Sequence, residues 1–372
     1  MKFSAPGRTE LAGNHTDHNC GKVLAAPINL RIKADTELRS DRTVVFESRG
    51  YRTFEVSLDY LEPVESETGT TAALVRGVAA AFEKRGGKTG GFHAKAESSV
   101  LPGSGLSSSA SVEILLGTIF NTLFNNSRFS ATELALIGQE AENTFFGKPC
   151  GLMDQLACAS RGIVKIDFRD PSSPVVTPVN VRFDELGYNI VIVNTGADHS
   201  DLTADYAAIP AEMRSVAAFF GKQNLRQVDE KLFLENIREV DKALGNERAV
   251  LRAIHYFDEN RRVDLMTDAL NAGDIRTYLA LVRECGRSSA ELLQNAFSPS
   301  HPDNQQIMLA LALSSRLLGR DGAWRLHGGG FAGTIQAYVP VDYTQKYIEQ
   351  MEKVFGQGSA LILSVTDGPA VE

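Results

Sequence analysis

The chain carries two kinds of apolar patterning in succession. In its first half, short runs rich in β-branched and apolar residues at 22–38, 92–98, 162–168 and 188–194 predict strands, and the alternation over 42–58 predicts a strand or hairpin. Two segments of helical period interrupt them. One is 70–85, closed by Gly86-Gly87, and the other is 112–120, which follows a stretch of glycine and serine. Ser130 with Glu133 three residues on forms a capping-box pattern and opens a helix expected to reach about Phe146. The first 21 residues, with Lys2, Arg8, Glu10, His15, Asp17 and His18, read as polar and turn-rich. The second half reads mostly as helices with charged faces, at 202–220, 231–244, 248–257, 263–271, 275–295 and 302–318. Strands at 324–326 and 333–339 flank a triple glycine, and a helix at 344–355 leads to a last strand at 361–365. A Pro-rich excursion at 170–181 is where the chain is expected to pass between domains, giving units 1–180 and 181–372. With 372 residues the chain exceeds the roughly 250–300 at which single cores stop growing.

One stretch asks for more than packing. In Gly103-Ser104-Gly105-Leu106-Ser107-Ser108-Ser109, two glycines at alternate positions let the backbone turn its amides inward, and three hydroxyls follow on the first turn of the predicted helix. Free amides and the helix dipole at such an end attract an anion, at about 0.3–1 kcal/mol for the dipole term. The stretch lacks the Gly-Lys-Ser/Thr ending of a P-loop and the spacing of a dinucleotide fingerprint. From these residues alone, a phosphate cradle and a glycine turn into a serine-capped helix both remain open.

Composition narrows the classes. A net charge of −8 with no basic run gives no electrostatic support to a nucleic-acid or membrane-surface role. No apolar run approaches the roughly 20 residues of a membrane helix. The four cysteines, Cys20, Cys150, Cys158 and Cys285, have no metal or redox spacing, and no secretory leader precedes Ala5-Pro6-Gly7-Arg8, so a cytoplasmic enzyme with reduced thiols is expected. Oligomeric state is not legible.

Four motifs, in order along nearly the whole chain, then resemble those of the GHMP superfamily of sugar and isoprenoid kinases. Gly105-Leu106-Ser107-Ser108-Ser109-Ala110 is similar to the motif that binds ATP phosphates there. The segment from Ala5 to Gly21, with Gly7-Arg8 and Gly13-Asn14-His15-Thr16-Asp17, resembles the galactokinase signature, and the segment from Ala141 to Gln155 is also galactokinase-like. His327-Gly328-Gly329-Gly330-Phe331-Ala332-Gly333-Thr334 resembles the third superfamily motif. The resemblance implies a two-domain α+β fold, with an N-terminal α/β domain, a C-terminal ferredoxin-like α+β domain and ATP between them. It also implies phosphorylation of the C1 hydroxyl of a galacto-configured hexose, with ATP and Mg2+ as cofactors. Asp154 matches the catalytic base and Arg8 the arginine facing it. Ser109 and Glu142 match the magnesium pair, and Asp17 the reader of the axial galacto configuration. Asn14, His15, Gly151 and Tyr206 fall at sugar-binding positions, Tyr206 without the arginine that usually follows it.

The match also breaks in places. The signature normally has glutamate at Asn14, tyrosine at His18, asparagine at Glu10 and, in the later motif, histidine at Asn143. The glutamate at position 14 binds the sugar C6 hydroxyl in the family, so Asn14 is expected to hold galactose less tightly. It also removes a repulsion of about 4 kcal/mol, at 4 Å and an effective dielectric of about 20, toward a C6 carboxylate. Galactose is therefore the expected substrate, galacturonate or another C6- or C2-modified sugar the alternative, with Lys148 a possible positive partner for the acid. A non-catalytic sugar and ATP sensor is the reading from another class. His15 and His18 have a zinc-like His-x-x-His spacing, but no third ligand is evident.

Overall fold

The computed structural model describes residues 1–100, 105–196 and 202–372. Its larger sheet contains β1 (Lys2–Ala12), β2 (Lys22–Leu38), β3 (Thr43–Ser48), β4 (Phe54–Ser57), β5 (Phe92–Ser98), β6 (Ile163–Asp167) and β7 (Val175–Val179). The smaller sheet contains β8 (Tyr188–Asn194), β9 (Ala323–His327), β10 (Thr334–Pro340) and β11 (Ala360–Leu363), and β12 (Ala370–Val371) returns to the larger sheet.

In the larger sheet the order is β12-β1-β2-β5-β3-β4, and β6 pairs with both β2 and β7. The 17-residue β2 is long enough to serve two neighbours on one edge, holding β6 along 22–25 and β5 along 32–38. All pairings are antiparallel except β3 with β5. Residues at period two, Phe3 and Ala5, Ile32 and Ala34, Val44 and Phe46, Phe92 and Ala94, form one apolar face. Against it pack α1 (Thr71–Lys84), α2 (Ser108–Asn125) and α3 (Ala131–Ala141), while α4 (Met153–Ala159) packs on β1 and β2.

The smaller sheet is antiparallel in the order β11-β8-β10-β9. Between β8 and β9 the chain builds α5 (Thr203–Phe219), α6 (Glu230–Glu235), α7 (Ile237–Leu244), α8 (Glu247–Asn271), α9 (Ile275–Ser288) and α10 (Gln306–Leu318). With α11 (Thr344–Phe355) between β10 and β11, the strands follow the βαββαβ pattern of a ferredoxin-like unit. The two sheets, α8 and α9 share a core that joins Leu24, Ala26 and Ile28 to Ile190, Ile192, Tyr278 and Tyr338.

Several local expectations are corrected. The opening segment is a strand from Lys2 to Ala12, with register shifts against β2 at Pro6/Arg8 and Glu10/Ala12, not a turn-rich stretch. Because β1 is buried on both faces from Ala5 to Ala12, it shows no alternation to read. The Pro-rich excursion contains β7, which among the described residues pairs only with β6 and so tolerates Pro178 at an edge. The segments 248–257 and 263–271 are one helix, α8, whereas Asn236 divides 231–244 into α6 and α7. The capping box is present, with Ser130 and Glu133 bonded reciprocally, but the helix it opens widens into a π-helical turn, Glu142–Phe146.

Candidate active site

The phosphate-loop residues Gly103 and Ser104 lie outside the described residues. From Gly105 onward the loop runs into α2. Ser107 is the N-cap, in the left-handed region at φ 59°, a costly conformation for a residue with a Cβ. Its hydroxyl is turned not onto the helix amides but onto Asp154, to which it donates at Oδ2. Among the described residues, nothing occupies the first-turn amides of the helix, and the hydroxyls of Ser108 and Ser109 lie beside them.

Asp154 sits on the first turn of α4 and receives Arg8 from the middle of β1, Nε to Oδ1 at 2.7 Å. The second arm of Arg8, Nη1, donates to the Gly105 carbonyl. One guanidinium thus ties the carboxylate to the glycine loop. Burial alone would raise the Asp154 pKa, but the charge and hydrogen bond of Arg8, the Ser107 hydroxyl and Lys148 outweigh it and hold the carboxyl below its ordinary value. The group is ionised at neutral pH and half-buried, free on one side to take a proton.

Next to it lies an oxygen-rich pair. Glu142, 2% exposed at the start of the π-turn, accepts Ser109 Oγ at Oε1, 2.9 Å away, and Lys148 Nζ at 3.5 Å on the same oxygen. Its other oxygen accepts Gln155 Nε2 at 2.8 Å, and the second hydrogen of that amide goes to Glu113 Oε2 at 2.9 Å. A hydroxyl and a carboxylate oriented together beside free helix amides are a donor set for a hard divalent cation that retains waters and phosphate oxygens. Glu113 is fully buried on α2, and burial followed by the charge of Glu142 pushes its carboxyl well above the ordinary range.

Asp17 occupies the 3-10 turn Asp17–Asn19, its Oδ1 accepting the His18 amide at 2.9 Å. Gly151 lies directly against it, since a Cβ built there would come 2.0 Å from Asp17 Oδ2. His15 Nε2 contacts the Gly329 carbonyl at 2.9 Å, and its ring is pushed to a pKa of about 3, chiefly by burial, so it is neutral. Tyr206 Oη donates to the Gly330 carbonyl at 2.6 Å, and its ring fills the space a side chain at Gly329 would need. His327, buried, bridges Thr9 Oγ1 at 3.0 Å and Thr334 Oγ1 at 3.1 Å, joining β1 to β10. The sugar-signature loop and the triple-glycine loop are thus brought together.

Asn14 departs from its expected place. It is fully buried, donating to the Gly328 carbonyl at 2.7 Å and accepting Asn295 Nδ2 at 3.0 Å, so its amide is engaged inside the protein and not turned to a ligand. Its amide also meets Glu10 Oε1 at 3.2 Å, so two of the departures from the signature face each other. A buried carboxylate sits instead at position 10, ion-paired to the fully buried Arg325. Lys148 likewise turns to Glu142 and not to Asp17, so neither residue stands ready to receive a sugar carboxylate.

Sequence reading missed Glu113, Glu259, His255 and Asn295 as parts of this region. His255 bonds the Asn14 carbonyl at 2.9 Å, and Glu259 accepts the Gly13 amide at 3.0 Å. A usable signal existed for Glu113, a lone charge in an apolar helix four residues after Ser109 and so on the same face. None existed for α8, whose contribution depends on tertiary docking.

Similarities to known proteins extend over nearly the whole chain. Residues 1–34 match the galactokinase galactose-binding signature, and residues 73–162 match the GHMP kinases N terminal domain. A galactokinase of Actinobacillus pleuropneumoniae is 33% identical over 343 residues, covering 90% of this chain and 84% of its own. One from Glaesserella parasuis is 33% identical over 99% of this chain and 94% of its own. The crystal structure of Lactococcus lactis galactokinase complexed with galactose superposes with a TM-score of 0.86 at 25% identity, covering 99% of this chain and 94% of that one. With relatives of that identity spanning nearly its full length, the chain belongs to the galactokinase family of the GHMP kinases.

Proposed function

We propose that the protein transfers the γ-phosphoryl group of ATP to the C1 hydroxyl of galactose, yielding galactose 1-phosphate and ADP. The observation that carries this reading is the Arg8–Asp154–Ser107 cluster, an ionised carboxylate fixed beside a glycine–serine loop at a helix N-terminus. In this reading Asp154 orients the C1 hydroxyl and accepts its proton as the oxygen attacks phosphorus. The bond from phosphorus to the β,γ-bridging oxygen breaks, and ADP leaves with the electron pair. Arg8 keeps Asp154 charged and on target. Gly105, Leu106, Ser107, Ser108 and Ser109, with the neighbouring Gly103 and Ser104, hold the phosphates.

Mg2+ would be held by Ser109 and Glu142, whose hard oxygens already converge. When bound it supplies charge neutralisation on the phosphates. Asp17, backed by Gly151, is assigned to the sugar hydroxyls, with His15 and Tyr206 closing the pocket from the triple-glycine side. ATP, the sugar and Mg2+ are the partners this reading requires, and no nucleic-acid or membrane partner is part of it. Among the described residues no helix is long and apolar enough to cross a membrane.

The test is ATP consumption with Mg2+ against galactose, galacturonate, N-acetylgalactosamine, glucose and mevalonate, with the phosphorylated position read by NMR. Galactose 1-phosphate is expected as the best product, and its rate is expected to fall by about two to four orders of magnitude in Asp154→Asn. Turnover on no sugar, or a wild-type rate in a folded Asp154→Asn, refutes the reading.

A further inference from the structure

Phosphoryl transfer spreads charge over the three outer oxygens of the moving group, and a side chain that meets that charge needs donors to spare. Arg8 keeps donors on Nη2, but Nε and Nη1 tie its guanidinium to Asp154 and the Gly105 carbonyl and fix where it points. Resting on the function proposed above, we propose that Lys148 is a further catalytic residue, its ammonium reaching the γ-phosphoryl group of ATP in the gap between Glu142 and Asp154.

The root of this side chain is fixed while its tip is not. Gly147, at φ 83°, and Lys148 both donate their amides to the Glu142 carbonyl, at 3.0 and 3.2 Å, closing the π-turn. Pro149 follows and stiffens the exit. The backbone is therefore anchored directly beside the buried Glu142. The side chain, by contrast, is 63% exposed, and among the described residues its ammonium has one contact, 3.5 Å from Glu142 Oε1. That is the outer limit of a hydrogen bond, and an ammonium carries three donors. Glu142 Oε1 is also the oxygen that Ser109 reaches, so Lys148 is already drawn to the place where the phosphates are expected to end.

An ordinary surface lysine on this acidic chain would point to solvent or to an exposed carboxylate. This one leans over a carboxylate that is 2% exposed, six residues before the assigned base. In the reaction the new oxygen–phosphorus bond forms at C1, the old one to ADP breaks with its electron pair, and the proton goes to Asp154. Lys148 stays protonated throughout, and its charge offsets that on the non-bridging oxygens.

The experiment is calorimetric titration of the full-length protein with ATP and with ADP, each with Mg2+ and without sugar, in wild type, Lys148→Met and Lys148→Arg. Lys148→Met is expected to weaken ATP about tenfold while leaving ADP unchanged, and to lower kcat by about a hundredfold with the sugar KM unaltered. Lys148→Arg is expected to recover most of both losses, because the charge is kept. An equal loss for ATP and ADP, or an unchanged ratio, overturns the proposal. Should the wild type phosphorylate no sugar, the function proposed above fails on its own, and the ATP-to-ADP ratio still reads the lysine.

Discussion

At the scale of single residues, the site depends on how closely two chain segments approach. Gly151 is the clearest case. Its hydrogen faces Asp17 Oδ2, and a Cβ in that direction would lie 2.0 Å away, far inside van der Waals contact. Asp17 can yield only by straining the bond its Oδ1 accepts from the His18 amide. In Gly151→Ala the carboxylate must turn or the loop must retreat. The KM for galactose is expected to rise at least tenfold, while ATP affinity and the melting temperature stay near those of the wild type. Steady-state kinetics at saturating ATP, paired with calorimetric ATP binding, check this. An unchanged sugar KM would mean that Asp17 does not touch the sugar. Glycine at 151 was readable as part of a motif. Its partner was not, because Asp17 lies 134 positions away and nothing in either segment encodes the contact.

At the scale of elements, α2 works through helical periodicity. Ser109 and Glu113, four residues apart, stand one above the other, the first reaching Glu142 Oε1 and the second holding Gln155 against Glu142 Oε2. The π-turn that ends α3 presents Glu142 to both. The sequence showed the start of α3 well, since a capping box is local chemistry. It did not show the π-turn, because the widened turn answers to packing against α1 rather than to any residue preference. Glu113 serves here as an acceptor, and its raised pKa fixes the sign of a pH effect. The folded protein keeps a proton that the unfolded chain releases above about pH 4.5, so wild-type stability declines as pH rises from there toward the folded pKa. A glutamine has no such proton. Glu113→Gln is therefore expected to match the wild type near pH 4 and to gain on it by up to about 1.4 kcal/mol per pH unit above that. Urea midpoints at pH 4.5, 6 and 7.5 measure the difference. A gap that is flat or narrows with pH would place a charged Glu113 in the fold.

At the scale of the whole molecule, the sugar-signature loop is held from behind by the C-terminal half. Glu259, fully buried on α8, accepts the Gly13 amide at 3.0 Å and Cys285 Sγ at 2.9 Å, and it is paired with Arg262. His255, one turn earlier, bonds the Asn14 carbonyl, and Arg325 reaches Glu10 from β9. The four motifs were legible because they are written in short local patterns, and the two-domain α+β plan followed from what their resemblance implies. This brace was not legible, since 248–257 read as an ordinary charged helix, Glu259 fell between it and 263–271, and only the docked α8 shows which charges turn inward. Burial alone would raise Glu259, but the charges around it, Arg262 foremost, hold it at about 2. With the folded pKa depressed, the stabilisation is complete above the unfolded value near 4.5 and is lost as pH falls toward 2. Glu259→Gln removes it and leaves Arg262 half-paired in the interior, at a cost of about 3 kcal/mol. The deficit in urea should hold steady from pH 8 to about 5.5 and shrink below 4.5. Because Gly13 loses a charged acceptor, the galactose KM should rise in the same variant while the ATP KM does not. A stability loss without that split would make Glu259 part of the core alone, whereas the split shows that α8, far along the chain from the signature, sets the position of the sugar loop.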